Sequence, residues 1–188
     1  MAKSKNKIKE KIKNELDIPN DVAVSLSESV LIVKGPKGEV NKDIKKYNVS
    51  VKIDSKKMIL ESGRATKENK KMLGTLTAHV KNMFKGALQN HTYILKICSG
   101  HFPMNVSATG SRFSIKNFLG EKTPRSLELK DGAEVKVEGG LIYVTSSNKE
   151  TAGQVSADIE QLTRRPGYDT RIFQDGIYII NKDGKELK

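Results

Sequence analysis

The side chains that most often carry catalysis or bind metals are sparse in this sequence. It contains three histidines, His79, His91 and His101, and one cysteine, Cys98. Neither His-x-x-x-His nor Cys-x-x-Cys spacing occurs, so no zinc site is predicted. His79 is expected to be a partly exposed helix residue and Cys98 a buried structural thiol in an apolar strand. Because catalysis needs convergent groups with shifted pKa values, the sequence favours a binding protein that needs no cofactor over an enzyme.

The glycine spacing of the loop Gly35-Pro36-Lys37-Gly38 can be compared with two known nucleotide-binding loops. It is not a Walker A loop, because no Gly-Lys-Ser/Thr follows at the required distance. It matches the GXXG spacing of KH domains, but that loop joins helices, whereas the flanks here read as strands. A β-turn is therefore expected. Lys34 and Lys37 are candidate phosphate contacts, and Gly35 would permit a close backbone approach.

A second candidate surface follows the last helical pattern of the chain. Arg164 and Arg165 precede Pro166-Gly167-Tyr168, and Arg171, Phe173 and Gly176 come next. Arginines at a helix C-terminus can simply stabilise the helix dipole. Arginines interleaved with aromatic rings are more typical of a segment that faces RNA.

The charge of the whole chain points to a polyanionic partner. Its 34 Lys and Arg residues against 22 Asp and Glu give a formal net charge of +12, which suits phosphate neutralisation. Four lysine-rich clusters in the first half contribute: Lys3 to Lys13, Lys42 with Lys45 and Lys46, Lys56-Lys57, and Lys67 to Lys71. No apolar run approaches the roughly 20 residues of a membrane span, and the basic lead lacks the apolar stretch of a secretory signal. No membrane partner is expected, and the single cysteine favours a reducing compartment.

The two halves of the chain repeat each other. Alternating residues Val22–Leu26 correspond to Met104–Ala108, and Val51–Asp54 to Val135–Glu138, each followed by a tight turn and a further apolar strand. In between, Lys34, Gly38 and Glu39 align with Lys116, Gly120 and Glu121. Period-two segments joined by short turns predict β-hairpins.

Each half then closes with a predicted amphipathic helix. Apolar residues follow helical spacing at Leu73, Leu76, Val80 and Met83, and again at Ala152, Val155, Ile159 and Leu162. Ser147 with Glu150 is predicted to cap the second helix, and Gly74 and Gly153 to let the helices approach the sheets.

The predicted fold is therefore α+β, with two tandem repeats, each an antiparallel β-sheet covered by one α-helix. The predicted boundaries are a basic N-terminal tail over 1–15, a first repeat over 16–90, a second repeat with the basic extension over 91–180, and a C-terminal tail over 181–188.

Five ordered motifs, together with this repeat, resemble the ribosomal large-subunit protein L6 family. They are Val33–Gly38, His79–Gly86, His101–Val106, Asn117–Lys122 and Asp175–Tyr178, and the archaeal and eukaryotic branch fits best. The resemblance covers residues from about Leu16 to Ile180. It implies a duplicated α+β fold that binds large-subunit ribosomal RNA near the sarcin–ricin loop and the stalk base.

The resemblance also implies which residues contact RNA. They are Asn117, Lys122, Arg164, Arg165, Arg171 and Gly176 in the second repeat, and Lys34, Gly35 and Lys37 in the first. Neighbouring large-subunit proteins and translational GTPases are expected nearby, on cytoplasmic ribosomes, with passage through the nucleolus if the source is eukaryotic. Two alternatives are a non-ribosomal RNA-binding adaptor or chaperone and a small RNA-modifying enzyme, and the latter needs a nucleophile or metal set that the sequence does not offer.

Overall fold

The computed structural model describes residues 11–54, 56–100, 102–169 and 171–187. Within it the chain forms two compact units, divided between Gln89 and Asn90. Unit 1 contains six strands and one helix, and unit 2 contains eight strands and one helix. The predicted α+β class with one helix in each repeat is confirmed.

Unit 1 is built from two small antiparallel sheets under one helix. Its elements are β1 (Ile12–Asp17), β2 (Ala23–Ser27), β3 (Val30–Gly35), β4 (Gly38–Asp43), β5 (Ser50–Ile53), β6 (Lys57–Ser62) and α1 (Lys67–Leu88), with a 3-10 turn at Lys45–Tyr47. The strand orders are β1-β6-β5 and β2-β3-β4. The single sheet predicted for this repeat is therefore two sheets, because the turn at Lys45–Tyr47 separates the two hairpins.

Helix α1 covers both sheets of unit 1. Leu73, Leu76 and Val80 on its inner face are fully buried or nearly so, as their spacing predicts. Thr66 begins the helix, and its hydroxyl accepts a hydrogen bond from the Asn69 amide at 3.2 Å. An oxygen at this position satisfies one of the amides that a helix start leaves unpaired.

Unit 2 repeats this plan and adds strands at its C-terminal end. Its elements are β7 (His91–Cys98), β8 (Asn105–Thr109), β9 (Arg112–Lys116), β10 (Arg125–Glu128), β11 (Glu134–Glu138), β12 (Leu141–Ser146), α2 (Lys149–Leu162), β13 (Gly176–Lys182) and β14 (Lys185–Glu186), with a 3-10 turn at Phe118–Gly120. The sheets have the orders β10-β9-β8 and β11-β12-β7-β13-β14. The tight turn predicted at Gly139-Gly140 joins β11 to β12, and both glycines have positive φ, as the type I′ hairpin turn requires.

The repeat correspondence fails at one place. In unit 1, Gly35 pairs with Gly38, so only Pro36 and Lys37 separate β3 from β4. In unit 2, β9 ends at Lys116 and β10 begins only at Arg125. The alignment of Gly38 and Glu39 with Gly120 and Glu121 is therefore wrong, because unit 2 carries a longer loop between the paired strands.

Both predicted tails are partly strands. Residues 1–10 lie outside the described part of the chain, but Ile12–Asp17, most of which was assigned to the basic tail, forms β1 and pairs with β6. Strand β13 likewise continues to Lys182, inside the tail predicted over 181–188, and β14 pairs with it there. Charged residues hide the alternation in these segments, and only the partner strands give it a buried side.

Two local predictions about helices are also wrong. Asn148, not Ser147, is the N-cap of α2, and its side-chain oxygen accepts from the Glu150 amide at 2.9 Å. A Cβ added to Gly74 would meet nothing within 4 Å, so this glycine does not bring α1 close to a sheet. At Gly153 the added Cβ would lie 3.3 Å from the Tyr93 hydroxyl, so that approach is real.

Candidate nucleic-acid interface

A loop over residues 163–175 joins α2 to β13 and carries the predicted arginine cluster. Thr163 holds its two ends together. The Thr163 hydroxyl donates to the Glu160 carbonyl at 2.9 Å and accepts from the Ile177 amide at 3.0 Å. Because Thr163 is buried, these two bonds fix the base of the loop, while Tyr168, Asp169 and Arg171 are exposed. This segment is called the arginine loop below.

Arg125 fixes the same end of α2 from the other side. Its Nη1 donates to the Leu162 carbonyl at 2.6 Å, and its Nε and Nη2 donate to the Glu121 carboxylate at 2.8 and 2.7 Å. Its guanidinium carbon also lies 4.4 Å from the centre of the Phe118 ring. The sequence reasoning missed Arg125, since a lone arginine at a strand start gives no sign that its side chain contacts Glu121, Leu162 and Phe118.

The paired hydrogen bonds between Arg125 and Glu121 change the pKa of the Glu121 carboxyl. Hydrogen bonds from the Arg125 guanidinium hold the pKa of the Glu121 carboxyl below its ordinary value, against the opposing effect of partial burial. Both side chains are about a quarter exposed. A bidentate guanidinium–carboxylate pair of this kind fixes geometry as well as charge, so the loop between β9 and β10 is tied to the end of α2.

Two of the predicted arginines lie at the start of the arginine loop. Arg164 is exposed, and Arg165 is half-buried with its guanidinium carbon 4.2 Å from the centre of the Tyr168 ring. Tyr168 in turn meets Phe173 edge to face, with ring centres 5.0 Å apart. The two rings and the Arg165 guanidinium thus form one contiguous cluster, in which each aromatic residue stays more than 40% exposed.

Arg171 is placed differently. Its Nε and Nη2 donate to the two carboxylate oxygens of Asp169 at 3.1 and 2.8 Å. These bonds hold the pKa of the Asp169 carboxyl below its usual range. Arg171 is highly exposed, but the Asp169 carboxylate compensates its charge locally. Among the ion pairs of the described residues, Arg164 has no such carboxylate partner.

A groove of about 860 Å³ opens beside the arginine loop, inside unit 2. Its lining residues are Phe118, Leu119, Glu160, Gln161, Thr163–Tyr168, Phe173, Asp175, Ile177 and Tyr178. Phe118 and Ile177 are buried and apolar, while Tyr168, Phe173 and Tyr178 are 41–44% exposed. The structure therefore brings Arg164, Arg165 and three aromatic rings to one concave surface, whereas Arg171 does not line it.

Three further predicted residues lie at the margins of this surface. Asn117 has a left-handed backbone conformation and donates from Nδ2 to the Pro103 carbonyl at 3.1 Å. Lys122 is exposed in the loop before β10. Gly176 is buried, and an added Cβ would lie 3.2 Å from the Tyr178 ring. Asn117 and Gly176 thus shape the backbone, and Lys122 offers a charge to solvent.

The predicted residues of the first repeat lie in unit 1, at the turn between β3 and β4. Lys37 is exposed, whereas Lys34 pairs with Glu39 across the hairpin at 3.0 Å. Gly35 packs against the C-terminal end of α1, where an added Cβ would lie 2.5 Å from the Ala87 carbonyl oxygen. The glycine therefore serves the contact between hairpin and helix, which sequence spacing does not reveal.

The residues with catalytic potential do not converge. His91 is fully buried in β7, and its Nδ1 lies 3.0 Å from the Asp183 carboxylate. His79 is half-exposed on α1 and packs edge-on against Tyr47. Cys98 is half-buried at the end of β7 rather than buried. His101 lies outside the described residues.

Across residues 11–54, 56–100, 102–169 and 171–187, no cluster of three His, Cys, Asp or Glu side chains is arranged to hold a metal ion. In the same ranges neither helix is long and apolar enough to cross a membrane.

Comparison with known proteins agrees with this architecture. The family model described as ribosomal protein L6 matches residues 18–89 and 102–176, one match in each unit. Large ribosomal subunit protein uL6 of Methanococcus vannielii is 41% identical over 94% of this chain and 97% of its own length. The proteins of the same name from Methanothrix thermoacetophila and Methanosarcina mazei are 38% and 40% identical, over 92% and 91% of this chain and 98% and 97% of theirs. Two matched repeats and relatives that align along nearly their whole length show that the chain belongs to the ribosomal protein L6 family.

Proposed function

We propose that this chain is a structural constituent of the large ribosomal subunit, and that it binds large-subunit ribosomal RNA near the sarcin–ricin loop and the stalk base to support translation. Family membership over both repeats is the observation that carries the proposal. The relatives that bear the name of a large-subunit protein align over at least 96% of their own lengths. The family is structural rather than enzymatic, so the chain is not an enzyme.

The chemistry of the interface supports RNA as the partner. The formal net charge is +12, and phosphate contacts from Lys and Arg release condensed counterions, which gives affinity without base reading. The exposed rings of Tyr168 and Phe173 beside Arg164 and Arg165 add surfaces on which bases stack.

The nine predicted residues divide by what they offer. We assign phosphate contacts first to Arg164, Lys37 and Lys122, because no ion pair among the described residues includes them. Arg165, whose charge also acts on the Glu121 carboxyl, is assigned with them. Arg171 and Lys34 come second, since Asp169 and Glu39 already pair with them.

The remaining three predicted residues, Gly35, Asn117 and Gly176, act by holding the contact loops in shape. Each one meets a protein atom at short range: the Ala87 carbonyl, the Pro103 carbonyl and the Tyr178 ring respectively. A change at any of them is expected to disturb the backbone that presents the basic side chains.

Sedimentation of an extract tests the ribosomal assignment. We expect the chain to migrate with the large subunit and to stay there after a high-salt wash, because many phosphate contacts and neighbouring proteins hold it together. Release into the soluble fraction at moderate salt would instead favour the non-ribosomal RNA adaptor or chaperone.

Chemical footprinting tests the position on the RNA. Large subunits assembled with and without this chain should differ in reactivity at the sarcin–ricin loop and the stalk base. Protection confined to other regions would refute that location while leaving the large-subunit role standing. The partners we propose are that RNA, the adjoining large-subunit proteins and, close by on the ribosome, translational GTPases. Passage through the nucleolus would follow only in a eukaryotic cell.

A further inference from the structure

The groove of unit 2 has a composition that a phosphate-binding surface alone does not need. Its volume of about 860 Å³ lies within the range of sites that enclose small ligands. Tyr168, Phe173 and Tyr178 present aromatic surface to it, each between 41 and 44% exposed. Neutralising a double-helical backbone requires cations but no exposed rings.

We propose that this groove holds one unpaired nucleobase of the bound RNA, stacked on one of the rings of Tyr168 and Phe173 with the other ring at its edge, and with the adjoining phosphate at Arg164 and Arg165. The inference rests on the proposed RNA binding and names the part of the RNA that this surface takes. The occupant is a base bulged out of, or looped out from, a helix.

The charges that line the groove favour this occupant. Arg164 and Arg165 supply positive charge where the arginine loop begins. Glu160 and Asp175 line the same groove, and each holds the backbone: a Glu160 oxygen accepts from the Ile179 amide at 3.0 Å, and an Asp175 oxygen accepts from the Gly100 amide. Carboxylates beside the cavity repel a phosphate or an acidic peptide from its interior but not a neutral, planar base. The phosphate therefore stays with the arginines.

The polar groups at the base of the groove are already occupied. The Thr163 hydroxyl bonds to both Glu160 and Ile177, and the Tyr178 hydroxyl donates to the Gln174 carbonyl at 3.2 Å. Phe118 and Ile177 are buried and apolar. Gln161, Arg164 and Arg165 also line the groove and can bond to a base edge, but every base offers a ring face, so stacking should dominate and all four bases should bind similarly.

Two RNA hairpins test the inference with the full-length protein. They have the same stem, closed by a non-nucleotide linker so that no loop base is unpaired, and one carries a single bulged nucleotide. The wild-type protein should bind the bulged hairpin about 5- to 150-fold more tightly, the range expected for stacking one base on an aromatic side chain. Equal affinity for the two hairpins would overturn the inference.

Substitutions in the groove test whether the preference for the bulged hairpin arises there. In the double variant Tyr168→Leu, Phe173→Leu the preference for the bulge should vanish, while the affinity for the paired hairpin and its salt dependence stay unchanged. Phe102→Leu is the matched control, because Phe102 is also 42% exposed but does not line the groove. A preference that survives in the double variant would refute the site, and thermal melting must show that both variants stay folded.

Photocrosslinking gives a readout that does not depend on substitutions. A 5-iodouridine at the bulged position should crosslink to Tyr168, Phe173 or Tyr178, as peptide mapping would show. Crosslinks elsewhere on the chain would overturn the inference. If the protein bound neither hairpin and left the large subunit at moderate salt, the proposed function itself would fail. Absence of a bulge preference in the wild-type protein, with ribosome binding intact, would refute only the groove.

Discussion

A Cβ atom added to Gly35 would lie 2.5 Å from the carbonyl oxygen of Ala87. The same carbonyl accepts a hydrogen bond from the Lys37 amide at 3.0 Å. Because the last carbonyls of a helix have no partner within it, the turn between β3 and β4 completes the C-terminal end of α1. The glycine and lysine that sequence reasoning assigned to RNA are thus also part of the contact between hairpin and helix.

Gly35→Ala should destabilise the protein. The added methyl group meets backbone atoms, which cannot rotate away, so the turn must move off the helix and the free energy of unfolding should fall by about 1–3 kcal/mol. Urea titration measures the change. Gly74→Ala is the matched control: Gly74 is exposed inside α1 with open space around it, so the change should stabilise by about 0.5–1 kcal/mol. If both variants changed stability equally, the close contact at Gly35 would not matter.

Arg125→Met should also destabilise, by about 1–3 kcal/mol, because it leaves the Leu162 carbonyl and the Glu121 carboxylate without their charged donor. Arg125→Lys should restore only part of the loss, since an ammonium group cannot reproduce the planar fork. Arg112→Met serves as the control, as Arg112 is exposed and makes one hydrogen bond, to Ser126. Its effect should stay within about 0.5 kcal/mol, and a larger loss there than at Arg125 would contradict the assigned role.

The effect of Arg125→Met should depend on pH. The pKa of Glu121 is lowered in the folded protein, chiefly by hydrogen bonds from Arg125. A lowered carboxyl pKa contributes stability above the unfolded value of about 4.3 and loses it as the pH falls through the folded value. The difference in unfolding free energy between wild type and variant should therefore shrink below about pH 4. Urea titrations across this range measure it, and a difference that grew on acidification would be inconsistent with the pair.

Substitutions in the arginine loop should weaken RNA binding more where the arginine has no carboxylate partner in the protein. Arg164→Gln with Arg165→Gln should weaken binding to large-subunit RNA and flatten its salt dependence by about one unit of slope for each arginine. Arg171→Gln should have a smaller effect, because Asp169 already compensates that charge. Lys136→Gln, on the exposed side of β11, controls for net charge alone. Filter binding at several salt concentrations gives the slopes. Unchanged slopes in the double variant would mean that the two arginines only stabilise the end of α2.

The local patterns in the sequence predicted much of this protein. Helical spacing of Leu73, Leu76 and Val80 marked the buried face of α1, because a period of 3.6 residues places them on one side of the helix. Alternation along Val135–Glu138 marked a strand for the equivalent reason. The repeat, the positive charge and the arginine cluster after α2 all follow from residue order, since each is a property of neighbours along the chain.

Other features depend on residues that are distant in sequence and meet only on folding. Ile12–Asp17 forms a strand because β6 lies beside it, and Gly35 is constrained because Ala87 lies against it. Arg125 reaches Leu162, 37 residues away, and the groove collects side chains from three separate stretches of unit 2, at 118–119, 160–168 and 173–178. No spacing rule connects such partners, because packing of helices on sheets chooses them. The sequence by itself thus determined the class, the repeat and the nature of the partner, and the tertiary structure decided which residues face that partner and which support them.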